Sequence, residues 1–332
     1  TRRQRQMCIR DRALLDHLGA PRRAGSVTLG ITDDLSGTSL PVDDSFRVPS
    51  RAVQAVFYGL GSDGTVGANK TAITIIGEQT DLYAQGYYVY DSKKAGSVTV
   101  SHLRFGPDPI RSTYLVEDDT ADFVACHQFS LLERIDVLAA ARPRATFLLN
   151  SPYPADEVWD HLPAEVQQQV LDKSLDLWVI DAHRVARRLG LGARINTVMQ
   201  PCFFALSSVL PEQAALDALK DAVRSRYAKR GPSVVERNLA AIDASLEQLR
   251  HVSVPTEVTG APRPRLTVPA DAAVFLTDVT MPLIAGQGAG LPVSLLPADG
   301  TYPTGTARLE KRSLARDLPM WDPSICIDCG KC

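Results

Sequence analysis

The sequence predicts an α/β protein with a mostly parallel, Rossmann-like sheet and flanking helices. From about residue 51 to residue 254, short apolar runs alternate with stretches of helical periodicity, and this alternation is typical of βαβ units. A glycine-rich turn follows the first apolar run and precedes a helical pattern. From residue 255 onward, frequent prolines and glycines interrupt any long periodic pattern, so we expect a small irregular connecting module there.

The strands are predicted from short runs rich in β-branched, aromatic and other apolar residues. These runs lie at residues 53–58, 87–90, 98–103, 123–126, 145–149 and 177–180. Helical patterns cover residues 66–76, the stretch between the last two of these strands, and residues 182–189. The two clearest helices lie within residues 211–231, where a proline begins the pattern and a glycine ends it, and at residues 235–249, where apolar residues recur every three or four positions.

The composition fits a globular chain of one large domain or two moderate ones. The 332 residues are 45% hydrophobic and 22% charged, with a formal net charge of −2. So small a charge gives no general attraction to nucleic acid or to an anionic membrane, and no apolar stretch is long enough for a membrane span. Three of the six cysteines lie in the last seven residues, which favours metal ligation in a reducing compartment. We therefore expect a cytoplasmic protein.

The first 29 residues stand apart from the α/β pattern. Residues 1–12 carry five arginines and lack the apolar segment of a signal peptide. Part of this stretch, Met-Cys-Ile-Arg-Asp-Arg, resembles a translated sequencing adapter. We expect residues 1–29 to be an artefact or a broken domain boundary, and we assign them no element.

The glycine-rich turn has the G-x-G-x-x-G pattern of nucleotide-binding loops. Residues 59–64 read Gly-Leu-Gly-Ser-Asp-Gly, between a predicted strand and a predicted helix. Glycines let the backbone approach a phosphate, and the helix N-terminus offers free N–H groups to it. Asp91 follows the next strand, where an NAD site would place an acid, but Lys93 and Lys94 suit a ribose-linked phosphate better. The residues alone do not distinguish an NADP site from a coenzyme A site. A third alternative is a purely structural turn followed by solvated lysines.

The last seven residues contain two consecutive C-x-x-C spacings. Cys326, Cys329 and Cys332 match the first three ligands of the C-x-x-C-x-x-C-x-x-x-C-P motif, whose thiolates hold [4Fe–4S] clusters. Zinc is disfavoured because a longer loop usually separates its C-x-x-C pairs. The remaining ligands would follow Cys332, so we expect a fragment that ends within a ferredoxin-like domain.

Eight segments, in order, resemble the pyruvate:ferredoxin (flavodoxin) oxidoreductase family. They are residues 59–70 (GLGSDGTVGANK), 81–85 (DLYAQ), 90–94 (YDSKK), 98–106 (VTVSHLRFG), 109–114 (PIRSTY), 123–128 (FVACHQ), 192–200 (GARINTVMQ) and 310–312 (EKR). The similarity extends from about Gly30 to Cys332. Several motifs in the same order are far more specific than a single glycine loop.

The resemblance implies thiamine-diphosphate-dependent oxidative decarboxylation of pyruvate or another 2-oxo acid. The acyl group would pass to coenzyme A, and electrons would pass through [4Fe–4S] clusters to ferredoxin or flavodoxin. The implied domains are a gamma-type, coenzyme A-contacting domain at residues 30–254, a connecting domain at 255–320 and the start of a ferredoxin-like domain at 321–332. Thiamine diphosphate would bind other domains of a homodimeric enzyme, so this region would be inactive alone.

The resemblance also implies a set of coenzyme A contacts. The phosphates would meet Gly61, Ser62, Asp63, Gly64 and Thr65. Lys93 or Lys94 would add positive charge, Asn196 would add a polar contact, and Arg237, or else Arg230, would add a basic one.

We assign no catalytic residue to this region. His102 and His127 are expected to be structural, and Cys126 and Cys202 to be buried, inert thiols. Two other functions stay open: a non-catalytic assembly module, and an NADPH-binding subunit that delivers electrons to the C-terminal cluster.

Overall fold

The computed structural model describes residues 2–21, 25–31, 33, 36–43, 46, 50–90, 97–111, 115–192, 194–263, 273–284, 287–305 and 320–331. The strands are β1 (Thr28–Leu29), β2 (Ser39–Leu40), β3 (Val53–Leu60), β4 (Tyr83–Val89), β5 (Val98–Gly106), β6 (Ala121–Cys126), β7 (Ala141–Asn150), β8 (Asp176–Ile180) and β9 (Arg250–His251). The helices are α1 (Arg2–Gly19), α2 (Thr65–Gln79), α3 (Val158–His161), α4 (Ala164–Asp172), α5 (Ala182–Arg188), α6 (Asn196–Ser207), α7 (Glu212–Tyr227), α8 (Pro232–Gln248) and α9 (Met281–Ile284). Single turns of other helix types lie at Phe129–Glu133, Ala228–Arg230, Leu276–Thr280, Gly288–Gly290 and Val293–Leu295.

A seven-stranded sheet forms the centre of the molecule, in the order β4-β5-β3-β6-β7-β8-β9. The neighbours β3, β6, β7 and β8 pair in parallel. Strand β5 is antiparallel to both β3 and β4, and β9 is antiparallel to β8. Five of the seven strands therefore run in one direction, which confirms the predicted α/β class with a mostly parallel sheet.

One strand pairing departs from the usual dinucleotide-binding unit. In that unit a helix connects two adjacent parallel strands. Here α2 carries the chain from β3 to β4, and the antiparallel β5 lies between them. Because neighbouring strands are about 4.8 Å apart, the ends of β3 and β4 are separated by about two strand spacings, or roughly 10 Å.

Helices cover both faces of the sheet. Successive side chains of each strand point to opposite faces, and apolar side chains on each face pack against helices. Helices α2, α5, α6, α7 and α8 pack on one face, against residues such as Phe57, Leu103 and Phe123. Helices α3 and α4 and the turn at Phe129–Glu133 cover the other face, against Val56 and Val124. The result is a three-layer arrangement with two apolar cores.

Helix α6 contributes most of the aromatic packing beneath the helices. The Phe203 ring lies 5.1 Å from the ring of Phe57, 5.2 Å from that of Phe123 and 6.4 Å from that of Phe105, measured between centroids. The sequence analysis did not predict this helix, because Pro201 lies inside it and proline usually breaks a helix interior. Burial of most of its apolar side chains offsets that cost.

Strand β4 and the first 29 residues also differ from the sequence prediction. Strand β4 begins at Tyr83 and ends at Val89, whereas the prediction began at residue 87 and ended at 90. Its Gly86 and polar Gln85 concealed the first half of the strand. The first 29 residues, to which no element was assigned, include helix α1, whose Ile9 is buried.

The segment after residue 254 has the irregular character that was predicted. Where the structure describes it, it consists of single turns, the short helix α9 and extended chain. It lies against α3 and α4: Trp159 Nε1 donates to Glu257 O, and Gln167 Oε1 accepts from Thr259 N and Gly260 N. Among the described helices, none combines the length and the apolar character that crossing a bilayer requires.

We predict that Phe203→Ala lowers the free energy of unfolding by about 3–5 kcal/mol, because it empties the centre of an aromatic cluster. Denaturant unfolding followed by circular dichroism measures this change. The matched control is Tyr83→Ala on β4, where the side chain is 50% exposed, and there we expect a loss below about 1 kcal/mol. Equal losses at the two positions would contradict the assignment of Phe203 to the core.

Candidate functional site

The loop between β3 and α2 is held by the side chain of Asp63. Its carboxylate accepts the N–H of Leu60 at 2.7 Å and the N–H of Thr65 at 2.8 Å. The N–H of Asp63 in turn donates to Leu60 O at 3.1 Å. A carboxylate at this position also interacts favourably with the positive end of the α2 dipole. Asp63 therefore closes the turn tightly between the last residue of the strand and the first residue of the helix.

Two glycines permit close contacts around this loop. A Cβ on Gly59 would lie 2.4 Å from Thr65 Oγ1 and 2.9 Å from Asp63 Oδ2. Gly64 has φ +93°, a conformation that side chains disfavour, and a Cβ there would lie 2.9 Å from Asn196 Oδ1. Gly59 therefore leaves room for the loop's own side chains, whereas Gly64 leaves room for α6.

Several backbone N–H groups of the loop have no acceptor among the residues that the structure describes. Gly61 N donates to Ser97 O at 2.7 Å, and Thr65 N is taken by Asp63. Within the described residues, the N–H groups of Ser62, Gly64, Val66 and Gly67 donate to no protein acceptor. They lie at or just before the first turn of α2, where the helix dipole favours negative charge.

Thr65 and His127 form a buried hydrogen-bonded pair beneath the loop. Thr65 Oγ1 lies 2.8 Å from His127 Nδ1, and both side chains are almost completely buried. Burial lowers the pKa of His127 to about 4, although the nearby charge of Asp63 acts in the opposite direction. The imidazole is therefore neutral at pH 7. The sequence analysis expected a structural histidine here but gave no sign that it would meet the loop.

The structure brings Asn196 to the loop from a distant part of the sequence. Asn196 is the first residue of α6, and its side chain packs directly on Gly64. Gln200, one turn later, donates to Ala68 O at 2.7 Å and so joins α6 to α2. The structure therefore brings Asn196 and the glycine loop together.

The α8 residue that meets the start of α6 is Asn238. Thr197 Oγ1 donates to Asn238 Oδ1 at 2.9 Å, and Asn238 Nδ2 donates to Val234 O at 2.8 Å. Arg237, one residue earlier, is exposed and bonds to Ser233 O and Gly190 O. The fallback residue Arg230 lies over the ring of Tyr227 at 5.9 Å. Asn238 was not among the residues expected from the sequence, where Arg237 or Arg230 was expected to supply a basic contact from this region.

Several expected site residues lie at or beyond the limits of the described chain. Asp91, Lys93, Lys94 and Cys332 fall outside the described residues. Ser97, which follows the lysine segment, is the residue that contacts Gly61. Cys326 and Cys329 are described and exposed, but the described residues contain no group of three or more potential metal ligands.

The other candidates have structural surroundings. His102 Nδ1 accepts the N–H of Val116 at 3.1 Å, and burial lowers its pKa to about 3. Cys126 and Cys202 are buried, and burial raises the pKa of each thiol to about 12. His102 is therefore buried and hydrogen-bonded, and both thiols are buried, as the sequence predicts.

We predict that Gly59→Ala lowers the free energy of unfolding by about 1–3 kcal/mol, because its Cβ would displace the held side chain of Thr65. Gly77→Ala in α2 is the matched control. Its Cβ would make only an ordinary contact, 3.8 Å from Ala84 Cβ, and the better helix propensity of alanine should raise stability by about 0.5–1 kcal/mol. Thermal or denaturant unfolding tests both, and a stabilising Gly59→Ala would contradict the loop packing.

Comparison with known proteins places this arrangement in a known family. The family model described as pyruvate ferredoxin/flavodoxin oxidoreductase matches residues 54–248. A second model, EKR, described as a domain of unknown function, matches residues 262–315. The first match contains the whole central sheet apart from the first residue of β3 and the strand β9.

Curated relatives agree with this match. The pyruvate-flavodoxin oxidoreductase of Nostoc sp. is 53% identical over 329 residues, and that of Rhodospirillum rubrum is 50% identical over 322 residues. The pyruvate:ferredoxin oxidoreductase of Moorella thermoacetica is 42% identical over 322 residues. Each alignment covers 97% of this chain but only 27% of the relative.

Among solved structures, a pyruvate oxidoreductase subunit PORC from Thermotoga maritima has 15% identity and a TM-score of 0.47, and the alignment covers 61% of this chain and 99% of that one. A 2-oxoglutarate:ferredoxin oxidoreductase from Magnetococcus marinus has 14% identity and a TM-score of 0.46, over 60% of this chain and 31% of that one. The family match extends over more than half of the chain, and the chain therefore belongs to the pyruvate ferredoxin/flavodoxin oxidoreductase family.

Proposed function

We propose that this chain is the coenzyme A-binding region of an enzyme that decarboxylates pyruvate oxidatively. The complete enzyme would transfer the acetyl group to coenzyme A and pass electrons through [4Fe–4S] clusters to ferredoxin or flavodoxin. Family membership and the names of the relatives support this reaction. The chain spans 27% of those relatives, so the activity is proposed for the whole enzyme and not for this region alone.

The single observation that carries the ligand assignment is the loop of residues 61–67. Its free N–H groups, on Ser62, Gly64, Val66 and Gly67, can donate to phosphate oxygens at the positive end of α2. Asn196 adds a side-chain amide beside Gly64. The phosphates of coenzyme A are ligands of the required charge.

Some loop residues would contact the phosphate, and others would maintain the shape of the loop. Ser62 and Gly64 would contact phosphate through N–H groups that donate to no acceptor in the described part of the chain. Asp63 and Thr65 bond within the protein, so we assign them mainly to shaping the loop. Lys93 or Lys94 would neutralise phosphate charge.

From α8, Asn238 meets the start of α6 and would extend the polar lining of the site. Arg237 bonds elsewhere within the described chain, and a contact from it would require a different side-chain orientation.

The proposed domain organisation follows the predicted boundaries. Residues 30–254 would form the coenzyme A-contacting domain, residues 255–320 the connecting domain, and residues 321–332 the start of a ferredoxin-like domain. Thiamine diphosphate, which supplies the carbanion-stabilising chemistry of decarboxylation when bound, would bind other domains of the same enzyme. The complete enzyme would be a homodimer that meets ferredoxin or flavodoxin.

The terminal cysteines fit a [4Fe–4S] cluster in their donor chemistry. Cys326 Sγ accepts the N–H of Asp328 at 3.4 Å. This bond is the largest cause of the lowered pKa of the exposed Cys326 thiol, and the side chain of Trp321 acts in the same direction. A lower pKa favours the thiolate, which is the form that binds iron. Cys326, Cys329 and Cys332 would be three of the ligands, and the cluster would carry electrons.

We predict that the chain binds coenzyme A with a Kd no tighter than the micromolar range, and that Lys93→Ala weakens binding about tenfold, because a lost charge partner of a phosphate costs roughly 1–3 kcal/mol. Isothermal titration calorimetry measures both. Lys220→Ala is the control, because this substitution also removes one positive charge but does so away from the loop. Lys220 forms an ion pair with Asp243 between α7 and α8.

Two results would contradict the assignment of coenzyme A as the ligand. Tight binding of NADPH without binding of coenzyme A would indicate an NADPH-binding subunit. Absence of binding to either nucleotide, with Gly61→Val lowering only the stability, would indicate an assembly module.

We predict that Trp321→Phe slows the alkylation of Cys326 by iodoacetamide at pH 8, because the Trp321 side chain helps to lower the thiol pKa and its replacement would reduce the thiolate fraction. Mass spectrometry of the metal-free, reduced chain measures the rate at Cys326, with Cys329 in the same sample as the internal reference. Buried Cys126 and Cys202 should react only after unfolding. A Cys326 rate that does not respond to Trp321→Phe would contradict this effect of Trp321 on the thiol.

A further inference from the structure

His127 is anchored where three parallel strands end. It follows β6 directly, and its backbone N–H donates to Tyr58 O of β3 at 2.9 Å. Its backbone carbonyl accepts Asn150 Nδ2 at the end of β7, also at 2.9 Å. The histidine backbone is therefore fixed from both sides, by β3 and by β7.

The side chain of His127 contacts the first residue of α2. Thr65 Oγ1, 2.8 Å from Nδ1, lies over Gly59, where no Cβ could fit. The backbone N–H of the same threonine is held by Asp63. Thr65 is thus fixed twice, through its N–H by the loop in front of it and through its hydroxyl by the imidazole beneath it.

The imidazole reaches the loop as a neutral hydrogen-bonding group. It is 2% exposed and lies edge-on to the ring of Phe57, with centroids 6.2 Å apart. A neutral imidazole carries one donor and one acceptor, so it can bond to the Thr65 hydroxyl without adding a charge to the helix N-terminus. His127 lies close to the loop, and the proposed function gives this titratable side chain no role.

We propose that His127 is a positioning residue for the coenzyme A site, acting through Thr65. It holds the start of α2 so that the N–H groups of Ser62, Gly64, Val66 and Gly67 keep the arrangement that a phosphate requires. The proposal rests on the proposed function. Its physical basis is preorganisation: when a loop is already ordered, binding does not pay the entropy of ordering it. His127 would then affect affinity without touching the ligand.

The first test compares variants that keep or remove the bond. His127→Asn places an amide near the position of Nδ1, and Thr65→Ser keeps the hydroxyl, so both should bind coenzyme A within about twofold of the original chain. His127→Leu and Thr65→Val remove the bond and should each weaken binding about tenfold by calorimetry, since a buried bond contributes on the order of 1 kcal/mol or more. The double variant should be no weaker than either single variant, because both remove one interaction. Wild-type affinity in His127→Leu would overturn the proposal.

A second measurement needs no ligand. The amides of Asp63, Thr65 and Ala68 are hydrogen-bonded to Leu60 O, the Asp63 carboxylate and Gly64 O. Their hydrogen exchange, followed by NMR on the full 332-residue chain, should be at least several-fold faster in His127→Leu and Thr65→Val and unchanged in His127→Asn. Exchange is compared with that of amides in β7, so that global destabilisation is separated from local loosening. Equal protection of the loop in all variants would overturn the proposal.

The two measurements also separate this proposal from the proposed function. If the original chain binds no coenzyme A, the ligand assignment fails, and the exchange data still decide whether His127 holds the loop. If the original chain binds coenzyme A and His127→Leu binds equally well, the ligand assignment stands and the positioning role fails.

Discussion

The parallel ladder between β3 and β6 is the contact on which the candidate site depends. Residues 55–58 of β3 pair with residues 123–126 of β6, and the ladder continues for one more bond, from His127 N to Tyr58 O. That register places His127 beside the loop that follows β3. A shift by one residue would exchange the two faces of the strand, so the burial of Phe57 and Phe123 on one face also fixes the imidazole beneath Thr65.

Burial on the helix-covered face fixes the second side of the site. Phe203 of α6 packs against aromatic rings of three adjacent strands, which sets the position of the helix against the sheet. The N-terminus of the same helix then presents Asn196 to Gly64, and Gln200 bonds to α2. The polar contacts at the loop therefore depend on apolar packing that lies elsewhere, because Asn196 and Phe203 belong to the same continuous helix.

The inserted strand β5 distinguishes this site from a simple dinucleotide fold. It separates the ends of β3 and β4. Ser97, the residue directly before β5, accepts the N–H of Gly61 through its backbone carbonyl. The loop is thus supported by Ser97 beside β5, by His127 after β6 and by Asn196 from α6. These three contacts come from elements that are far apart in the sequence.

The sequence by itself determined the α/β class, the position of the glycine loop between a strand and a helix, the cysteine spacing and the family. These depend on local periodicity and on motifs whose residues are close in the chain. Only the tertiary structure decided the Thr65–His127 pair, the contact of Asn196 with Gly64, the place of β5 and the bond of Asn238 to Thr197 at the start of α6. Those contacts join residues that are far apart in sequence, and their geometry is set by strand register and core packing, for which a single sequence carries no local signal.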